Sequence, residues 1–219
     1  MKISAIIPTL NAALTLPAAL AALGPVAEIV VADGGSEDQT VSIGRDAGAV
    51  VVIAPRGRGR QLAAGIASAS GVWLLLLHAD TRLAPDWRDA AAVHIRDQPD
   101  KAGYFRFALD SVDPRARRLE RLVAWRGRVL ALPYGDQGLL LHRDTLRAAG
   151  GVRDLPLMED VDLIRRLGRR RLVALNAAAV TSAAKWERDG WYRRSARNLM
   201  CLSLWHLGVP AERIARLYG

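Results

Sequence analysis

Cysteine is almost absent. Cys201 stands alone, so no internal disulfide framework can form, and a reducing, cytoplasmic setting is expected. Lysine is nearly absent too: only Lys2, Lys101 and Lys185 occur, so the net charge of +9 is carried by arginine. So basic a chain suits nucleic acid, anionic lipid or phosphorylated ligands, although a composition rich in arginine and alanine accounts for it equally well. Crossing a bilayer takes roughly 20 apolar residues, and the long apolar run near the middle covers only 72–77. The opening residues, Met1-Lys2-Ile3-Ser4-Ala5-Ile6-Ile7-Pro8, lack the charged region, long apolar stretch and cleavage site of a signal peptide and read as an immediate first strand. Repeats, low-complexity tracts and long linkers are also missing. One domain over 1–219 is therefore expected, with a first half (1–100), a second half (101–185) and a helical end (186–219).

What is present suits a packed enzyme-sized unit. The chain has 219 residues, 51% hydrophobic and 24% charged, enough for a full core and too apolar for disorder. Strand-like runs at 3–7, 28–32, 49–53 and 72–77 alternate with helical stretches. Asn11 is placed to cap a helix ending at Leu23, before Gly24-Pro25. Ser36 and Gln39 form a capping-box pair for a helix ending near Gly48. Helices follow at 59–69 and, with Pro85 in the first turn, to about Asp97. This order predicts a doubly wound, mostly parallel sheet covered on both faces. Beyond residue 100 the pattern loosens: strands at 103–110 and 138–142, a basic helix over 115–130, a helix from 159 and a helical C-terminal segment.

Three acidic signatures fall where apolar runs end. In open α/β sheets ligands bind beyond the carboxyl ends of strands. Asp33 ends the second strand and precedes Gly34 and Gly35, which let backbone approach a ligand; its carboxylate can accept from a base or ribose. Asp80, in His78-Ala79-Asp80, follows the fourth strand and can hold Mg²⁺ or Mn²⁺ on a diphosphate whose oxygens complete the shell. His78, two residues earlier on extended chain, is a secondary ligand candidate. Arg56 and Arg58, with Gln61, open a helix and suit a diphosphate. Glu159 and Asp160 begin another helix, where neighbours point apart, so one of them is expected to face the pocket as a general base. Gly135, Asp136 and Gln137 lie in a glycine-flanked loop that can line the same cleft. The bland counterparts are helix caps for Ser36, Asp38 and Asp80, a solvated loop for the arginines, and first-turn acids for Glu159 and Asp160.

In combination and in this order, from residue 3 to about 165, these segments resemble the family 2 glycosyltransferases, which have the GT-A fold. Pro8-Thr9-Leu10-Asn11 is similar to the opening motif, Asp33-Gly34-Gly35-Ser36 with Asp38 and Thr40 to the nucleotide-binding segment, and Glu159-Asp160 to the ED motif. His78-Ala79-Asp80 matches the DxD motif only at its last position, and Ala12 stands where an acid is usual. The resemblance implies a three-layer, Rossmann-like α/β/α fold with a helical C-terminal segment. It implies inverting transfer of a sugar from a nucleotide-diphosphate donor. Pro8, Thr9, Asn11, Asp33, Gly34, Arg56, Arg58, Gln61, Ala79 and Asp80 would hold the donor, Asp80 a divalent cation, and Asp160 would be the base. The acceptor is open, a lipid among the options. Arg58-Gly59 through Gln61 and the 134–138 loop further resemble a bacterial subgroup found alongside radical-SAM proteins.

Two rivals use different residues. Gly57-Arg58-Gly59-Arg60-Gln61-Leu62 after a strand, with Asp80 about 20 residues on, approaches a dinucleotide fingerprint, but Leu62 replaces the final glycine. A non-enzymatic module would bind nucleic acid or membrane through the basic helix and through Trp186, Trp191, Tyr192, Arg193, Arg194, Arg197 and Trp205. Nucleic acid is not expected as a partner, whereas docking of the C-terminal segment on a bilayer is compatible with enzymatic function.

Overall fold

The alternation of apolar residues along the first strands dictates the layering. A strand turns successive side chains to opposite faces. Ile3, Ala5 and Ile7 enter one core and Ile6 the other; Leu75 and Leu77 likewise oppose Leu74 and Leu76. The computed structural model describes residues 2–26 and 28–218. In chain order they form β1 (Ile3–Thr9), α1 (Leu16–Leu23), β2 (Glu28–Asp33), α2 (Thr40–Asp46), β3 (Val50–Ile53), α3 (Arg58–Ser68), β4 (Trp73–Leu76), β5 (Thr81–Leu83), α4 (Trp87–Asp97) and β6 (Ala102–Leu109). Then come α5 (Pro114–Trp125), a π-helical turn (Arg126–Leu130), a 3-10 turn (Gly135–Gln137), β7 (Leu139–His142), α6 (Arg143–Ala148), α7 (Glu159–Leu167) and β8 (Leu172–Thr181). Helices α8 (Ala184–Asp189), α9 (Trp191–His206) and α10 (Ala211–Tyr218) end the chain.

The eight strands form one sheet in the order β3-β2-β1-β4-β7-β6-β8-β5. Four neighbouring pairs are parallel, and β4 with β7, β6 with β7, and β5 with β8 are antiparallel. Residues of α1 and α4 pack on one face with Leu75 and Phe105. Residues of α3, α6 and α7 pack on the other with Leu74 and Leu141. The fold is therefore the expected three-layer α/β/α arrangement around a mixed, mostly parallel sheet. The sheet connections reverse direction beside β1, between β2 and β4, which opens a crevice at the carboxyl ends. Because β7 runs antiparallel to β4, with Leu139 opposite Leu76, the 133–138 loop enters that same end.

Several boundaries differ from the sequence expectations. Asn11 caps no helix: it has φ 49°, its Oδ1 accepts from the Glu37 amide at 2.9 Å, and α1 begins only at Leu16, with Pro17 in its first turn. Ser36 and Gln39 form no capping box; the Gln39 side chain makes no cap bond and Ser36 serves a turn described below. The basic helix over 115–130 divides into α5 and the π-helical turn. Strands β5 and β8 and helix α6 were not anticipated.

Two of the C-terminal aromatics are structural, whereas Tyr192 is exposed. Trp186 and Trp191 pack with Phe107, Leu109, Ala116 and Val123, so they offer no membrane anchor. Further along, Cys201 and Ile214 pack against Leu157, Met158 and Val161, which flank the start of α7. The last helices thus buttress the segment carrying Glu159 and Asp160. Truncating the fully buried Ile214 to Ala is expected to cost about 2–5 kcal/mol, measured by urea unfolding, with activity falling at temperatures where the wild type is still stable.

Candidate active site

Two loops at the ends of β1 and β2 are laced together by backbone and side-chain bonds. The Asp33 carboxylate is fully buried. It accepts from Thr9 Oγ1 at 2.9 Å, Ser36 Oγ at 2.5 Å, and the amides of Gly35 at 2.9 Å and Ser36 at 2.7 Å. Burial opposes its ionisation, yet these bonds, led by Ser36, hold the carboxyl below its ordinary value. The amides of Asn11, Ala12 and Ala13 bond Ser36 Oγ, Thr40 Oγ1 and Asp38 Oδ2. Gln61, also buried, donates from Nε2 to the carbonyls of Thr9 at 2.5 Å and Ala32 at 3.0 Å, joining β1 to β2. Asp33 and Gln61 were expected to touch a nucleotide. The Asp33 carboxylate and the Gln61 Nε2 are instead engaged within the protein. What faces outward is the loop they fix, exposed at Asn11 and Gly35, with Pro8 half-buried beside it and Gly34 buried beneath.

The second cluster lies beyond β4. Helix α7 starts abruptly at Glu159, after Met158 in a left-handed conformation with φ 68°. The turn separates two adjacent acids. Glu159 is buried, and neither carboxyl oxygen has a hydrogen-bond partner among the described residues. Burial, then the neighbouring Asp160, push its pKa up to about 8, against the pull of Arg58. Asp160 is half-buried. Its Oδ2 accepts from the Gly135 amide at 2.6 Å and its Oδ1 from the Val161 amide at 2.7 Å, leaving lone pairs for a further donor. A Cβ at position 135 would stand 2.6 Å from His78 Nε2 and 3.0 Å from Asp160 Oδ2, so only glycine lets these three segments meet.

Around this contact the charges are dense. Burial first, then Arg58, bring the His78 pKa down to about 4, so its imidazole is neutral near pH 7. Burial raises Asp136 to about 6; Arg126 opposes that rise while Asp160 and Asp80 add to it. Arg126 lies 4.1 Å over the Tyr134 ring. Gln137 is buried and donates to the Phe105 carbonyl at 3.0 Å, which fixes the loop and removes it as a ligand contact. Arg58, first residue of α3, projects into the field of Glu159, Asp160 and Asp80. Arg56, two residues earlier, is exposed. A cavity of about 40 Å³, lined in part by Pro8, His78, Gly135, Glu159 and Asp160, lies against this cluster; it has room for a few waters, not for a sugar.

Asp80 has one oxygen engaged and one without a hydrogen-bond partner among the described residues. Its Oδ2 carries Lys185 Nζ at 2.8 Å. Burial opposes its charge, but Lys185 first, then His78 and Arg58, hold its carboxyl below the ordinary value. Among the described residues no three His, Cys, Asp or Glu side chains gather to hold a metal ion. With Oδ2 of Asp80 paired to an ammonium, a divalent ion on a diphosphate would have to share this carboxylate with Lys185. Lys185 itself escaped notice in the sequence. The available signal was that it is one of three lysines and closely follows a strand end, as the acidic motifs do.

Residues 4–145 match the family model described as Glycosyl transferase family 2. The chain belongs to that family. It is thus a glycosyltransferase, and the dehydrogenase and binding-module alternatives fall away. No curated protein matches it significantly. Similar solved structures include glucosyl-3-phosphoglycerate synthase from Mycobacterium tuberculosis in complex with Mn²⁺ and UDP-glucose, 19% identical with TM-score 0.61, covering 95% of this chain and 80% of that one. S. aureus TarS 1-349 in complex with UDP-GlcNAc is 19% identical with TM-score 0.62, covering 83% of this chain and 58% of that one. At such identities the likeness shows the GT-A fold alone.

The raised Glu159 pKa has a consequence for stability. The native state holds a proton that the unfolded chain releases above its ordinary value of 4.5, so this group's contribution is full below that pH and is lost as pH rises towards about 8. Glu159→Gln is expected to match the wild type near the lower end of that range and to melt at higher temperature above the upper end, read by thermal unfolding at the two extremes.

Proposed function

We propose that this glycosyltransferase moves a sugar from a nucleotide-diphosphate donor to an acceptor hydroxyl with inversion at the anomeric carbon, and that Asp160 is the general base. The observation that carries the proposal is the Asp160 carboxylate, oriented by the Gly135 amide at 2.6 Å on the same cleft as Arg58 and Asp80. The acceptor oxygen attacks the anomeric carbon while its proton passes to Asp160. The bond from that carbon to the diphosphate oxygen breaks, and its electron pair leaves with the nucleoside diphosphate. Arg58 at the start of α3 stabilises the charge that develops there. The 9–13 and 33–36 loops, fixed by Asp33, form the shelf for the nucleoside.

Glu159, protonated at neutral pH and facing apolar surroundings, shapes the pocket and leaves proton transfer to its neighbour. The Mn²⁺ and UDP-sugars bound by the similar enzymes make UDP-sugars the first donors to try. No step here is routed through a metal. Placement in the radical-SAM-associated subgroup rests on the 58–61 and 134–138 segments alone.

A donor screen that follows release of nucleoside diphosphate tests this. Asp160→Asn is expected to lower kcat about 10²–10⁴-fold with an unchanged circular dichroism spectrum; turnover near that of the wild type would remove Asp160 as the base.

A lipid acceptor has one observation in its favour. Leu122, Trp125, Val129 and Leu130 are exposed along α5 and the π-helical turn, beside exposed Arg118, Arg121 and Arg128. No helix among the described residues is long and apolar enough to cross a membrane. A face mixing apolar side chains with arginine suits peripheral contact with an anionic bilayer, such as a cytoplasmic membrane surface. Co-sedimentation with phosphatidylglycerol vesicles is expected for the wild type and is expected to be lost on replacing Trp125 and Leu130 with serine.

A further inference from the structure

Lys185 occupies a position that its own helix disfavours. It lies in the first turn of α8, where the helix dipole favours acids over cations. Its partner Asp80 belongs to a distant stretch of sequence, and the backbone between them is held firmly. The Ser182 amide donates to the Asp80 carbonyl at 3.1 Å. Thr81 Oγ1 lies 3.0 Å from Thr181 Oγ1, which donates in turn to the Asp136 carbonyl at 3.2 Å. The antiparallel pairing of β5 with β8 places Thr81 opposite Thr181, so the two loops leave the sheet side by side.

The pair is also asymmetric. The Asp80 side chain is 17% exposed and that of Lys185 45%, so the lysine is the more solvent-accessible member. An ammonium has three hydrogens, and Asp80 takes one. Two remain for an incoming oxyanion. Arg58 faces the same acids and makes no salt bridge among the described residues. A diphosphate entering here would meet two side-chain cations with donor capacity to spare.

We infer that Lys185, oriented by Asp80 and acting with Arg58, supplies the positive charge on the donor's diphosphate, so that nucleotide binding and departure need no divalent ion. In the transfer step Lys185 donates hydrogen bonds to the diphosphate oxygens as the electron pair of the breaking carbon–oxygen bond moves onto them, and it keeps its own protons. The role of Asp80 is to hold the lysine in place. The inference rests on the nucleotide-sugar function proposed above.

Isothermal titration with UDP, GDP, ADP, CDP and dTDP, each in EDTA and again in excess Mn²⁺, separates the possibilities. One of the five is expected to bind the wild type in EDTA, with a dissociation constant that Mn²⁺ changes by less than about threefold. Lys185→Met is expected to weaken that binding about tenfold or more in EDTA, and Lys185→Arg to retain most of it. Asp80→Asn is expected to weaken that binding by the same factor in EDTA and in Mn²⁺; a loss seen only in Mn²⁺ would make Asp80 a metal ligand and overturn the inference. Binding by the wild type that appears only with Mn²⁺ overturns the inference while leaving the donor class intact. Binding of none of the five, with or without Mn²⁺, overturns the donor class as well. The wild-type comparison decides the metal question even if a Lys185 variant fails to fold.

Discussion

The balance of charge at the end of β4 governs the rest of this structure. Asp80, Asp136, Glu159 and Asp160 come from three separate stretches of chain and feel one another's charge. Four carboxylates in one half-dry cleft cannot all ionise without cations beside them. The fold answers differently at each: Asp80 takes Lys185, Asp136 lies in the field of Arg126, Asp160 takes two amides, and Glu159 keeps its proton. Arg58 is the cation left facing the group without a salt bridge of its own among the described residues. Four acids that look alike in the sequence thereby acquire four different chemical characters.

That differentiation depends on segments far from the chemistry. The Gly135 amide reaches Asp160 because β7 runs antiparallel to β4 and delivers the 133–138 loop to the right end of the sheet. Helix α7 is fixed from behind by Cys201 and Ile214 and from the side by Asp162, which pairs with Arg166 at 2.7 Å and Arg153 at 3.0 Å. On the nucleotide side, Asp33 performs a similar service for the 9–13 and 33–40 loops. A carboxylate with four internal donors is a poor ligand but a good organiser, because its bonds define one loop geometry.

The legible parts of the fold were those in which burial dictates sequence. Strands β1, β2 and β4 are apolar runs because both sheet faces are covered there, and the ends of β2 and β4 located two of the acidic motifs. β8 left little trace: Ala174, Ala177, Ala178 and Ala179 interrupt its β-branched residues, which lie only near its ends. β5 has three residues and sits just after Asp80. The position of Glu159 and Asp160 at a helix start was legible; the hydrogen-bonding of Asp33 and Gln61 was not. A sequence shows that an acid lies at a strand end; it does not show how many hydrogen bonds the carboxylate already accepts. Lys185 was hidden for a related reason, since its meaning arises only from a partner more than a hundred residues away.

The two acids at the start of α7 show how little backbone is needed to divide labour. Met158 adopts a left-handed conformation, unusual for a side chain of its size, and the helix begins at the next residue. Consecutive helical residues point roughly 100° apart. One acid therefore turns inward, where desolvation holds its proton, and the next is half-buried and accepts from the Gly135 and Val161 amides. Exchanging the two environments would disable both carboxyls. A solvated Glu159 would add repulsion beside the diphosphate, and a buried Asp160 would hold its proton and could not accept another. The acidic pair is better understood as one buried, protonated carboxyl and one carboxyl held by backbone amides, set apart by a single backbone turn.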